Sequence, residues 1–357
     1  MRIEYIFAVF ALLGVLDKIT GNRFKLGEEL EKGIMTMGTL TLSMAGMIVL
    51  SPPIARGLSF LFESPLRAIG MDPSLLASLL PNDAGGAAIA YALSDNVLLR
   101  GYQGMVVASM IGVTICMLPL TLKMVDRAHH EDVLLGLLCG LATIPVGCIV
   151  AGLMIGIPFL SLLWNTVPIA LLALVICLGL WKKPTLVKRA LGGVGKLLTV
   201  LIFVGLGLGI LQSLCGLAPL SDIAPMSEVF LTIGNIALLL AGVFPMLSIL
   251  SRVARRPLLW IGKRCALDEA SVLGLLTCLA NAIPMYAMTG DMNRRGRVIN
   301  IAFSVSAAYA IGDHLAFTLA IDGAFAAPMV VGKLISGAAA IALAAFLCRE
   351  KKPAVQE

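Results

Sequence analysis

The sequence predicts an all-α integral membrane protein, and three observations carry that prediction. Of its 357 residues 59% are hydrophobic and 13% are charged, with a mean hydropathy of +0.96; a soluble domain carries about a quarter charged residues. The charges gather in short clusters between long apolar runs, as expected where lipid is the solvent. Two apolar runs are interrupted near their middles by Asn, Asp, Gly or Pro, a placement that needs a reason in a core or a bilayer. A soluble globular protein is excluded. The net charge of +6 sits in short loops and reads as a topology signal, with no case for nucleic acid.

Taken in order, the apolar segments long enough or nearly long enough to cross are 3–17, 34–51, 102–122, 132–157, 159–181, 197–216, 229–251, 298–320 and 328–348. About 20 residues at a rise of about 1.5 Å span the hydrocarbon. The first segment lacks a small-residue cleavage site, so it reads as a membrane helix, not a signal peptide. The two broken segments are 74–93, with Asn82, Asp83, Gly85 and Gly86, and 268–289, with Asn281 and Pro284. Lipid cannot satisfy the backbone groups freed at such breaks, so they belong inside protein or against a cavity. The sequence thus predicts about nine transmembrane helices and two re-entrant segments.

The basic clusters orient them. Lys and Arg are dense at 18–32, 123–127, 182–196, 252–264, 294–297 and 349–352. If every apolar segment crossed once, 252–264 and 294–297 would lie on opposite sides. If the two broken segments return to the side they left, every dense basic loop falls in the cytoplasm. Arg56, Arg67 and Arg100 then lie outside, in the company of Glu63, Asp72 and Asp95. This arrangement puts the N-terminus outside and the C-terminus inside.

An internal repeat agrees with it. TMGTLTLSMAG (36–46) lies against TIGNIALLLAG (232–242), PLRAIG (65–70) against PLLWIG (257–262), and YALSD (91–95) against YAMTGD (286–291). With the topology above the repeats are inverted: residues 1–181 form the first, residues 190–348 the second, and 349–357 a short cytoplasmic tail. Inverted repeats with paired discontinuous segments point to a transport site near the midplane.

The candidate binding residues are Asp83, Asn281, Asp313 and His314, with Gly85, Gly86 and Pro284 shaping the broken backbone. Asp83 and Asn281 hold nearly equivalent places in the two broken segments. A carboxylate inside a membrane is expensive unless paired or hydrated, and marks function by default. Asp83 suits a cationic group; the alternative is a cap for the half-helix behind it, which does not exclude contact with a solute. Asp313 and His314 lie two-thirds along 298–320; adjacent residues point to different faces of a helix and need not bond each other. His314 suits packing as well as it suits proton transfer near neutral pH.

Other motifs carry no chemistry. The eight Cys include no CxxC pair and fall mostly in apolar runs, so they read as small packing residues. Gly205, Gly207 and Gly209 follow no strand, and GGVGK (192–196) lacks the flanking residues of a phosphate loop. His129 and His130 sit in a charged loop and read as solvated, not as metal ligands. No nucleophile, base and orienting group can be assembled, so no enzyme activity, metal or cofactor is expected.

With these residues in hand, the chain resembles the ethanolamine-utilisation permeases, the EutH-type membrane proteins. The likeness is densest in LANAIPM (279–285), GRVINIAFSVSAAYAIGDHLAF (296–317) and PMVVGKLISG (328–337). It continues through TMGTLTLSMAGM (36–47), NDAGG (82–86) and LATIPVGCIVAGL (141–153). The connection at 157–160 is shorter than the family's, and Pro81-Asn82 precede the acid. The resemblance implies an inner-membrane permease that imports ethanolamine for a degradative lyase. Its partners would be that small solute and the bilayer. Ethanolamine is a protonated amine with a hydroxyl; Asp83 and Asp313 would supply a negative field, Asn281 and His314 hydrogen bonds. Transport of another small amine or an amino acid, through a carrier or a channel, competes with this reading. So does a non-transporting scaffold, although no loop offers a soluble domain. Proton coupling and facilitated diffusion suit the residues equally, and the oligomeric state is not legible.

Overall fold

The computed structural model describes residues 3–217 and 219–348; the expected tail at 349–357 lies outside the described residues. Among them the regular structure is helical throughout, with no strand. Helix α1 (Ile3–Ile19) turns into α2 (Leu26–Leu40) at Asp17, whose carboxylate accepts the Phe24 and Leu26 amides at 3.0 and 2.8 Å. A wide turn at Thr41–Ala45 carries α2 directly into α3 (Gly46–Ala68). The chain then doubles back. A tight coil at Pro73–Leu79 and an irregular stretch lead into the short α4 (Ala87–Leu93).

Next, α5 (Val97–Gly101) passes through eleven π-helical residues, Tyr102–Gly112, into α6 (Val113–Met124). All eleven are buried, so this composite helix forms the interior of the molecule. Helices α7 (His130–Ile155), α8 (Phe159–Lys182) and α9 (Pro184–Cys215) follow. On α9 only Leu198, Gly205 and Gly209 are buried, so much of its surface is exposed. Helix α10 (Met226–Arg264) runs 39 residues through Pro245 and Pro257. Helices α11 (Glu269–Ala280) and α12 (Ala282–Ala287) form the second broken segment. Then come α13 (Arg294–Ala307), α14 (Asp313–Asp322) and α15 (Ala326–Leu347).

Among the described residues seven helical stretches are long and apolar enough to cross a membrane: Leu26–Ala68, Val97–Met124, Arg127–Ile155, Phe159–Lys182, Pro184–Cys215, Met226–Arg264 and Asp313–Leu347. The protein is thus a multi-pass, all-α membrane protein. One expectation needs correction. Segment 298–320 is not a single crossing helix: it stops at Ala307, unwinds over 308–312 and restarts at Asp313. The cause lies in tertiary pairing, described below, that no local propensity reports.

Close contacts recur in matched pairs. A Cβ on Gly46 (α3) would overlap the Ile202 carbonyl of α9, and one on Gly242 (α10) would overlap the Phe7 carbonyl of α1. Gly147 (α7) and Gly332 (α15) meet reciprocally, each lying against the other's carbonyl. Small residues let backbones approach where lipid gives no hydrophobic drive for association.

Candidate functional site

Three breaks in the helices meet at one cavity. The first runs from Leu80 to Gly86. Pro81 fixes an extended entry, its carbonyl accepts the Ala84 and Gly86 amides at 3.1 and 2.9 Å, and Gly85 takes φ 105°, a left-handed conformation suited to glycine. Asp83 sits within this loop. Its carboxylate lies beside its own and the Ala84 amides. Asp83 does not serve as the N-cap of α4, whose N-cap is Gly86.

The second break is at Asn281. The residue is extended (φ −155°, ψ 128°), and its Oδ1 accepts the Ile283 amide at 2.9 Å to cap α12. Pro284 lies in the first turn of α12, where a missing N–H costs no hydrogen bond, so the chain breaks at Asn281 and not at the proline.

The third break, 308–312, lies beside the second. The Tyr309 and Ile311 amides donate to the Cys278 and Leu279 carbonyls, each at 3.0 Å. Tyr309 adopts φ 61°, a costly conformation for a non-glycine residue, held here by those bonds. Helix α14 therefore begins at Asp313, where the helix dipole favours a carboxylate.

The cavity these breaks enclose measures about 840 Å³. Asp83, Asn281, Asp313 and His314 all line it, together with Tyr309 and Cys116. Gly85, Gly86 and Pro284 stand back from the lining and act through the backbone. At one end the walls are Lys123, Gly192, Gly195 and Lys196. On the far side, the Tyr91 hydroxyl donates to Asp322 at 3.0 Å and the Arg100 guanidinium lies 4.7 Å over the Tyr91 ring. That contact ties α4 to the end of α14. Among the described residues no group of three His, Cys, Asp or Glu side chains could hold a metal.

One residue of the site escapes the sequence reading. Lys333, eighth in α15 and 1% exposed, donates to the Ser109 carbonyl at 2.5 Å and lies 3.2 Å from His314 Nδ1. A lysine inside an otherwise apolar run is itself the signal that finds it. His314 is buried and its ring packs 5.0 Å from that of Tyr309. The site thus combines two carboxylates, an amide, an imidazole and an ammonium, all at helix breaks or beside them.

The comparisons with known proteins agree on one family. The model for EutH, ethanolamine utilisation protein, matches residues 2–347. A probable ethanolamine permease EutH of Listeria monocytogenes is 40% identical over 347 residues, covering 97% of this chain and 93% of the relative. The uncharacterized protein YxeR of Bacillus subtilis is 35% identical, with 97% and 94% covered. The probable ethanolamine permease EutH of Escherichia coli is 34% identical over 385 residues, again with 97% and 94% covered. No solved structure matches the chain. A family model spanning almost every residue, and relatives matched along nearly their whole length, show that this chain belongs to the EutH family of ethanolamine utilisation proteins.

Proposed function

We propose that the protein is a permease that carries protonated ethanolamine across the inner (plasma) membrane into the cell. The observation that carries this reading is the meeting of Asp83, Asn281, Asp313 and His314 on one cavity from three separate breaks. Broken helices with intramembrane carboxylates are how membrane proteins build solute sites near the midplane. The carboxylates suit the ammonium, and the amide and imidazole suit the hydroxyl. Two relatives quoted above carry the name of probable ethanolamine permease, which supports the same solute.

The two halves, 1–181 and 190–348, act as inverted repeats, with the N-terminus outside and the C-terminus in the cytoplasm. The matched pairs Gly46–Ile202 and Gly242–Phe7 support a two-fold relation between them. On that topology Lys123 and Lys196 face the cytoplasm. The cavity mouth beside them then makes this conformation inward-open, with the Tyr91–Asp322 contact closing the outer side.

Purified protein in liposomes tests the reading. Protein-dependent uptake of labelled ethanolamine at mildly acidic pH, where little neutral amine crosses lipid unaided, is the expected result. Equal uptake by empty liposomes would overturn it. A protonophore added to the same vesicles separates coupled transport from facilitated diffusion.

A further inference from the structure

Lys333 does not line the cavity; it stands behind His314, gripped from the other side by the Ser109 carbonyl. An ammonium has three donors and no acceptor. Its 3.2 Å contact with His314 therefore makes Nδ1 the acceptor, and a neutral imidazole that accepts at Nδ1 carries its proton on Nε2. Burial works against the lysine charge, and an ionised Asp83 works for it. The Tyr309 ring holds the imidazole on its flank. The edge of His314 left for the cavity is consequently an N–H donor.

The amide of Asn281 has the same polarity. One lone pair of its Oδ1 is taken by the Ile283 amide, and both N–H donors of its NH₂ group are free for a solute. The cavity thus offers carboxylate acceptors at Asp83 and Asp313, and N–H donors at His314 and Asn281. An ammonium pairs with the carboxylates but has no acceptor for the N–H donors. The donors need an oxygen. With both acids ionised, Lys333 leaves the site one net negative charge, which a single monovalent cation neutralises.

We propose that Lys333 is a positioning residue that makes the site require a hydroxyl. By fixing His314 with its Nε2–H toward the cavity, it selects a monocation carrying an oxygen acceptor. Simple alkylamines leave the donors unpaired, and diamines bring a second cation against them. The inference rests on the permease reading above and names the specificity of that same site.

The test uses the full-length protein in liposomes and compares inhibition of labelled ethanolamine uptake by unlabelled ethanolamine and by ethylamine. The wild type should prefer ethanolamine by about tenfold or more, as sites built to bond a substrate hydroxyl do. Lys333→Met should bring the ratio of inhibition constants close to one, while Lys333→Gln, which keeps an N–H donor, should restore part of it. A lost positive charge alone would strengthen both amines equally and leave the ratio unmoved. An unchanged ratio in folded Lys333→Met overturns the proposal, as does a wild type that takes both amines alike.

Nitrogen NMR of labelled histidine reads the tautomer directly, with only His129 and His130 to subtract. The expected signal is a neutral ring protonated at Nε2, lost or mixed in Lys333→Met. A ring protonated at Nδ1 in the wild type refutes the arrangement even if the variants fail to fold. Liposomes that take up no ethanolamine at all, with the expected NMR signal present, would instead refute the permease reading.

Discussion

The Tyr309 amide donates to the Cys278 carbonyl at 3.0 Å, joining two helices at the depth where both are broken. Ile311 repeats the bond to Leu279, so the unwound backbone of each break is satisfied by the other. Neither break could exist alone in lipid, because each would strand polar groups in hydrocarbon.

Gly312 makes this crossing possible, since a Cβ there would overlap the Ala280 carbonyl just before Asn281. Gly112 stands in the same relation to the Leu80 carbonyl just before Pro81. Gly312→Ala should lower stability by about 1–3 kcal/mol, the usual cost of forcing atoms into a packed site. Gly112→Ala should do likewise. Thermal unfolding in detergent measures both; an unchanged melting temperature for either would show that the crossing gives way easily.

Neutralising either acid should stop transport. Asp83→Asn and Asp313→Asn should each abolish protein-dependent uptake of labelled ethanolamine at low concentration and mildly acidic pH, while both variants remain folded in the membrane. Normal uptake by both would remove the carboxylates from the site.

Cys116 offers a native probe of the cavity, which it lines. In a variant keeping only this cysteine, a small hydrophilic thiol reagent should react from the cytoplasmic side, and saturating ethanolamine should slow the reaction severalfold. Labelling solely from outside would reverse the orientation assigned to the mouth.

Asp132 anchors the second broken segment. Its carboxylate bonds Arg294 Nε at 3.1 Å and Arg297 Nε at 3.0 Å, and Arg297 continues to the Thr289 and Met292 carbonyls at 2.7 and 3.1 Å. Asp132 and Arg297 are both buried. Asp132→Ala should destabilise the protein by about 3–5 kcal/mol by leaving a buried guanidinium unpaired. The double variant with Arg297→Met should recover part of that loss, and detergent melting curves would show whether it does.

Asp268, in the turn between α10 and α11, has a carboxyl below its ordinary value. Burial alone would raise it, but hydrogen bonds from Ser271 and from the Asn293 amide outweigh that. A depressed carboxylate contributes stability that is present above its unfolded value and lost as pH falls through its folded one. Mildly acidic assays therefore leave this turn intact. Asp268→Asn should erase the part of the acid-induced loss of stability that falls below about pH 4. Melting curves taken across that range would expose a contrary result.

Much of this was legible beforehand. Gly85-Gly86 and Asn281 announced breaks that exist, and Asp83, Asn281, Asp313 and His314 line a common cavity. Three features were legible in part or not at all. The break at 308–312 falls in SAAYAIG, a stretch without proline, because its cause is hydrogen bonding to residues about 30 positions earlier. The widening of Tyr102–Gly112 leaves no local mark either, since a π-helical turn reflects the packing around it. Lys333 was visible as a charge in an apolar run, but its partner Ser109 lies 224 residues away and only folding brings them together.

The Gly147–Gly332 contact has a consequence for how such a molecule could work. If the proposed repeats are related by a two-fold axis and Gly147 corresponds to Gly332, this contact lies on the axis, and exchanging the shapes of the two halves maps it onto itself. Every other interface would alternate between two forms, while this one stays put. Having no side chains to interlock, the paired glycines would serve as a fulcrum on which the halves rock.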